Sequence, residues 1–292
     1  MRVIQYLENN STKFAAVTDN GEIFILPFKD FFQLIEAAQT QGKTPFEVIV
    51  QHIDQAIPLN TPLEELELTV PIISPEVWAA GVTYERSRVA RNYESKKDKL
   101  DVETYYDKVY NAERPEIFFK STPARTAGPN KDLYLRSDSQ WIIPEPELGL
   151  VINKNGKILG YTIGNDMSCR DIEGENPLYL PQAKIWKYSC SIGPAIRLAE
   201  TVEDPYNFRI ICRIFRDNTK VFEDSTMTSQ LKRRYEELIN FLVKDNHILD
   251  GTILLTGTCI VPPDEFTLKD GDLVEIEISD IGTLRNSIRK PT

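Results

Sequence analysis

Apolar and polar positions alternate in short blocks along most of the chain, and turn-forming residues separate the blocks. In "KFAAVTDNGEIFILP" (Lys13 to Pro27) the Asp-Asn-Gly turn signal lies between two apolar runs, which predicts a β-hairpin with Gly21 at positive φ. The period then changes: "KDFFQLIEAAQTQGKTPFEVIVQHIDQAI" (Lys29 to Ile57) has helical spacing broken near Gly42 and Pro45. Residues 1–70 therefore read as a small α+β unit and residues 71–292 as a larger, β-rich one.

In the larger unit, "LGLVINKNGKILGYTIGND" (Leu148 to Asp166) predicts a second hairpin turning at Asn155-Gly156, with Glu147 and Asp166 at comparable distances from the turn. Leu231, Tyr235, Leu238, Ile239 and Leu242 recur at i, i+4, i+7, i+8 and i+11, the stripe of an amphipathic helix. The stretch from Asp250 to Ile288 reads as several short strands. From Glu85 to Asp107 the chain is strongly charged, the texture of a solvated face or a lid.

Composition narrows the partners. A formal charge of −10 and a pI near 4.9 oppose a phosphate-backbone ligand, which calls for surplus Lys and Arg. No window is long and apolar enough to span a membrane, and the first residues carry no apolar leader, so a cytoplasmic protein is expected. The four cysteines form no Cys-x-x-Cys pair and read as buried free thiols rather than a zinc cage or redox couple. His52 and His247 are the only histidines. Any mechanism with a central imidazole must use one of them.

The chemistry concentrates in "WIIPEPELGLVI" (Trp141 to Ile152), where Glu145 and Glu147 each follow a proline. On a strand, residues i and i+2 share a face about 7 Å apart, so the two carboxylates can converge. Converging carboxylates repel, burial raises their pKa values, and a divalent cation reverses that balance. With neither Cys nor His nearby, the ion indicated is a hard one: Mg²⁺, with Mn²⁺ or Ca²⁺ as alternatives. Asp166, returned by the hairpin, is the natural third ligand. Pro144 and Pro146 lack N–H donors and suit a rim where the ladder stops. From spacing alone, a solvated strand end accounts for the same residues.

"PEPELGLVI", "GYTIGNDMSCRD", "QAKIWKYSCSIGP" and "LLTGTCIVPP" followed by "LKDGDLVEIEISDIGTLRNSI" occur in an order that resembles the fumarylacetoacetate hydrolase family over roughly residues 72–292. The resemblance implies a mostly β α+β fold, a mixed β-sandwich roll with a small N-terminal α+β domain, assembled as a homodimer or homotetramer. It also implies one Mg²⁺ bound by Glu145, Glu147 and Asp166. The family's hydrolases carry G-x-N-Y-x-x-H, whose His activates water; "GVTYERS" has Thr83 at the Asn position and Ser87 at the His position. Lys187 stands where they usually have an Asp.

"GVTYE", "VYNAERPEIFFKSTP", "LYLRSDSQWIIPEPE" and "ENPLYLPQAKI" resemble the family's dehydratases of 2-keto-3-deoxy sugar acids. The expectation is a Mg²⁺-dependent hydro-lyase taking a 2-keto-3-deoxy pentonate to 2,5-dioxopentanoate. Glu116, Glu85 and Lys184 are the candidates for proton transfer and charge stabilisation; Glu116 lies in an apolar strand context that favours a raised pKa. Lys120, Thr256, Ser87 and Arg88 are the candidate substrate contacts, with Arg86 and Arg91 near an anionic ligand. The rivals are a diketo-acid hydrolase or decarboxylase on the same fold, and a non-catalytic sugar-acid binding protein.

Overall fold

The computed structural model describes residues 1–54, 56–87 and 105–291, and its organising element is a large twisted sheet covered on both faces. Along the sheet the strands run Ile23–Ile25, Ser11–Val17, Arg2–Glu8, Cys190–Leu198, Ile158–Asp166, Pro146–Ile152, Thr252–Leu255, Val77–Gly81 and Glu116–Ser121. Neighbours are antiparallel except Thr252–Leu255 with Val77–Gly81. A five-stranded sheet stacks on it, ordered Thr219–Met227, Arg209–Arg216, Leu273–Ile278, Gly282–Arg289 and Leu133–Tyr134. This is the mostly β α+β sandwich expected.

Period-2 alternation divides the core. Leu148, Leu150, Ile152, Ile163 and Leu254 meet the second sheet and the helix Tyr235–Val243 through Ile210, Ile214, Ile276 and Leu238. Their neighbours Val151, Ile253 and Leu255 point the other way, onto the helices Phe31–Gln41 and Pro45–Ile53. Because both faces are covered, Pro146–Ile152 is buried at every position, and each Leu or Ile so buried contributes roughly 1.5–3 kcal/mol.

The N-terminal elements form as their local signals dictate. Gly21 turns the first hairpin at φ 86°, and Gly42 ends the first helix in the left-handed region. Thr44, Pro45 and Glu47 build a capping box at the start of the next helix. Arg2–Glu8 pairs with Cys190–Leu198, Val3 opposite Ile196, so the sheet runs continuously from residues 1–70 into the rest of the chain.

One expected boundary shifts. The helix predicted from Leu231 begins at Tyr235, while Leu231 itself is extended and still buried. Tertiary contacts hold the intervening residues out of a helix. Lys232 N donates to Thr83 O at 3.0 Å, and Arg233 donates to the carbonyls of Val109, Ala112 and Glu113. All four cysteines are buried free thiols, and burial pushes Cys190 and Cys212 up to about 12. Of the charged segment from Glu85, residues 88–104 lie outside the described residues.

Candidate metal centre and active site

The second hairpin forms as predicted, turning through Gly156 at φ 78°, and its open end carries the acidic residues. Its register pairs Pro146 with Asn165 and Glu147 with Gly164. One step further, Asp166 N donates to Glu145 O at 2.9 Å, so Asp166 stands across from Glu145 with Glu147 beside them on the same face. At this point the ladder is interrupted for a step before it resumes between Ile143 and Ser168. Pro146 has no N–H to give, and Glu145 N turns to the Asn165 side chain at 3.2 Å.

A two-stranded clip brackets the cluster. Ile142–Ile143, just before Glu145, pairs with Ser168–Cys169, just after Asp166. The clip delivers Ser168 and Arg170 to the acidic residues. The short helix Leu180–Lys184, whose last turn is closed by Ile185 N on Pro181 O, delivers Lys184 from the other side.

One ligand oxygen from each of Glu145, Glu147 and Asp166 lies within 4.8 Å of the other two, and all three residues are buried. Lys184 Nζ, wholly buried, reaches Glu145 Oε2 at 2.6 Å, Asp166 Oδ2 at 3.3 Å and Ser168 Oγ at 2.6 Å. These three acceptors use all three ammonium donors. Arg170 holds the second oxygen of Glu145 at 2.8 Å, with Glu173 at 3.9 Å on its far side. Lys120 Nζ holds Asp166 Oδ1 at 2.7 Å.

Glu147 is held differently. It accepts Gly257 N–H at 2.6 Å, and no Lys or Arg pairs with it among the described residues. Burial, followed by repulsion from Asp166 and Glu145, pushes its carboxyl well above the usual range. A divalent cation removes that repulsion, so the donor set fits a hard ion: three carboxylates converging, with neither sulfur nor imidazole present. The cavity at the cluster has room for one water or ion, about 10 Å³.

The other predicted residues divide. Ser87 lines this cavity, its hydroxyl donating to Tyr84 O at 2.8 Å. Glu116 sits one layer behind, paired with Gly81; a Cβ on Gly81 would stand 2.0 Å from Glu116 Oε2, so the carboxylate fills the space beside a residue of the cavity wall. Lys120 and Thr256 are not on the wall, contrary to expectation for substrate contacts. Lys120 is wholly buried and directed to Asp166, to the carbonyls of Met167 and Lys184, and to the face of Trp186. Thr256 gives its hydroxyl to Leu148 O at 3.0 Å.

Glu85 is exposed and likewise off the wall, and Arg88 lies outside the described residues. Thr258, two residues past Thr256, does line the cavity. It was missed, as were Arg170 and Ser168. The available signal for Arg170 was charge balance, since three buried carboxylates require buried cations. Neither histidine is on the wall: His52 packs edge-on to Phe28 and His247 is exposed.

Residues 86–289 match the family described as Fumarylacetoacetate (FAA) hydrolase C-terminal. The chain belongs to the fumarylacetoacetate hydrolase family. It is 44% identical over 278 residues to 2-dehydro-3-deoxy-D-arabinonate dehydratase of Saccharolobus solfataricus, covering 94% of this chain and 92% of that one. To the probable 2-keto-3-deoxyxylonate dehydratase of Haloferax volcanii it is 48% identical over 220 residues, covering 75% and 74%. Among solved structures, 2-keto-3-deoxy-D-arabinonate dehydratase complexed with magnesium and 2,5-dioxopentanoate superposes with a TM-score of 0.85 at 38% identity, covering 100% of this chain and 99% of that one.

Proposed function

We propose that this member of the family is a magnesium-dependent hydro-lyase that removes water from a 2-keto-3-deoxy pentonate to give 2,5-dioxopentanoate. The observation that carries the reading is the buried Glu145, Glu147 and Asp166 cluster, set in a fold shared over its full length with a dehydratase complexed with magnesium and that product. With C2 a ketone and C3 a methylene, C4 is the sole stereocentre. In the D series the arabinonate and xylonate names of the two relatives therefore denote one compound.

Glu145, Glu147 and Asp166 hold the ion, and Lys184 keeps two of them in place by bridging Glu145 and Asp166. When bound there, Mg²⁺ supplies Lewis acidity toward the carboxylate and C2 carbonyl oxygens of an α-keto acid. Glu116, against Gly81, moves the proton between C3 and the departing C4 hydroxyl. Ser87 and Thr258 offer hydroxyls to the substrate's polar end. Loss of the C4 hydroxyl as water, followed by tautomerisation at C5, leaves the terminal aldehyde.

The hydrolase alternative lacks its base, because Ser87 occupies the histidine position and no histidine lines the cavity among the described residues. No helix among the described residues is long and apolar enough to cross a membrane. The reading includes a cytoplasmic homodimer or homotetramer with residues 1–70 as a small N-terminal unit, which among the described residues puts no side chain on the cavity wall. The test is product identification with Mg²⁺ and 2-keto-3-deoxy-D-arabinonate. Formation of 2,5-dioxopentanoate, abolished by E116Q with magnesium affinity retained, supports the reading. Pyruvate as product, or thermal stabilisation by the acid without turnover, would overturn it.

A further inference from the structure

The peptide that joins Thr256 to Gly257 is grasped at both ends. Its N–H, on Gly257, reaches Glu147 Oε2 at 2.6 Å, and its carbonyl, on Thr256, accepts Thr83 Oγ1 at 2.7 Å. A trans peptide is planar and directs these two groups oppositely, so whatever fixes the carbonyl also aims the N–H. Thr83 is buried and packs tightly here: a Cβ on Gly257 would stand 2.0 Å from Thr83 Oγ1 and 2.9 Å from Ala80 O. Gly257 itself has φ 95°, a conformation open to glycine.

Thr83 is anchored in turn. Its carbonyl accepts Lys232 N at 3.0 Å, and Val82 before it is held at φ 52°, a left-handed conformation disfavoured for a β-branched residue. Glu145 and Asp166 are oriented by Arg170, Lys184 and Lys120, whereas this peptide supplies the one N–H that orients Glu147 among the described residues.

We propose that Thr83 is a positioning residue for the metal, fixing the Thr256–Gly257 peptide so that Glu147 is held ready for the cation. This rests on the metal site proposed above. Thr83 is not on the cavity wall and gives its hydroxyl to Thr256 O, so its service to the ion runs through the peptide rather than through contact with substrate.

The test is a calorimetric Mg²⁺ titration of the full chain for wild type, T83V, T83S and E147Q, with melting temperatures in EDTA recorded alongside. Loss of such a supporting partner weakens metal affinity by about 10–100-fold. T83V is expected to raise the Mg²⁺ dissociation constant by about 10-fold or more, while T83S, which keeps the hydroxyl, stays near wild type. In turnover, T83V raises the Mg²⁺ concentration for half-maximal rate and leaves kcat at saturating Mg²⁺ within a few-fold of wild type. T83A takes the place of T83V should the valine variant not fold. Wild-type affinity in T83V, or equal weakening in T83V and T83S, overturns the proposal. Wild type binding no better than E147Q would instead remove the metal site itself.

Discussion

The two ends of the hairpin Pro146–Ile152 and Ile158–Asp166 are equally buried and stabilised by opposite means. Toward the turn, Leu148, Leu150, Ile152 and Ile163 fill a core in which apolar side chains of similar volume are largely interchangeable. At the open end, Glu145, Glu147 and Asp166 are buried among Lys120, Lys184 and Arg170, where each charge depends on a particular partner. Burial near zero exposure therefore says little by itself. What distinguishes a site from a core is whether the neighbours are replaceable.

The largest effect should come from D166N. It strips Lys120 and Lys184 of a shared carboxylate and removes a metal ligand. Breaking a buried pair costs about 3–5 kcal/mol, and loss of the ligand should take turnover below detection. Urea unfolding with and without Mg²⁺, beside the product assay, reads both. L150A, at the apolar end, should cost a comparable 2–5 kcal/mol, roughly, while the folded fraction keeps wild-type Mg²⁺ affinity. If L150A weakens metal binding as strongly as D166N, the two ends are not independent.

E147Q should separate metal-bound from metal-free stability. The carboxyl of Glu147 is raised by burial and by its acidic neighbours. A carboxylate raised on folding binds more protons in the native state, so stability falls as pH climbs above the unfolded value near about 4.3 and stays depressed above the folded value. In EDTA at pH 7, E147Q should therefore be more stable than wild type, and the gap should close on acidification. In Mg²⁺ the order should reverse. Wild type more stable than E147Q in EDTA would mean that the cluster is not repulsive.

Much of this was legible from residue spacing. A Glu-Pro-Glu run followed by an Asn-Gly turn places the acidic residues on one face, because strand periodicity and turn chemistry are local. Their cations were harder to read. Lys120 lies in "IFFKST" on a strand at the edge of the sheet, and only the return of residues 167–189 over it buries the ammonium. Lys184 was assigned through resemblance, and Arg170 not at all, because their partners lie 18 and 25 residues away in sequence. Leu231 taught the same lesson: its spacing is helical, but Arg233 binds carbonyls about 120 residues distant and delays the helix to Tyr235.

The smallest expected effect sharpens the comparison by holding the chemistry constant and changing the burial. Asp19, in the first hairpin turn, accepts Arg197 and the Met1 amine, an Arg–carboxylate contact like that of Arg170 with Glu145 but with the Asp19 side chain 66% exposed. The Arg197 guanidinium, then the amine, lower its carboxyl from 3.8 to about 2. A depressed carboxylate contributes stability that is present above its unfolded value and lost as pH falls from 3.8 toward 2. Water and salt screen the contact, so D19N should cost only about 0.2–1 kcal/mol at pH 7. That difference should shrink in about 1 M salt, and it should fall steadily below pH 3.8 and vanish only once the pH is below the folded value of about 2, as read by urea midpoints. A penalty at pH 7 matching that of breaking the buried pair would show that solvent does not discount the exposed one.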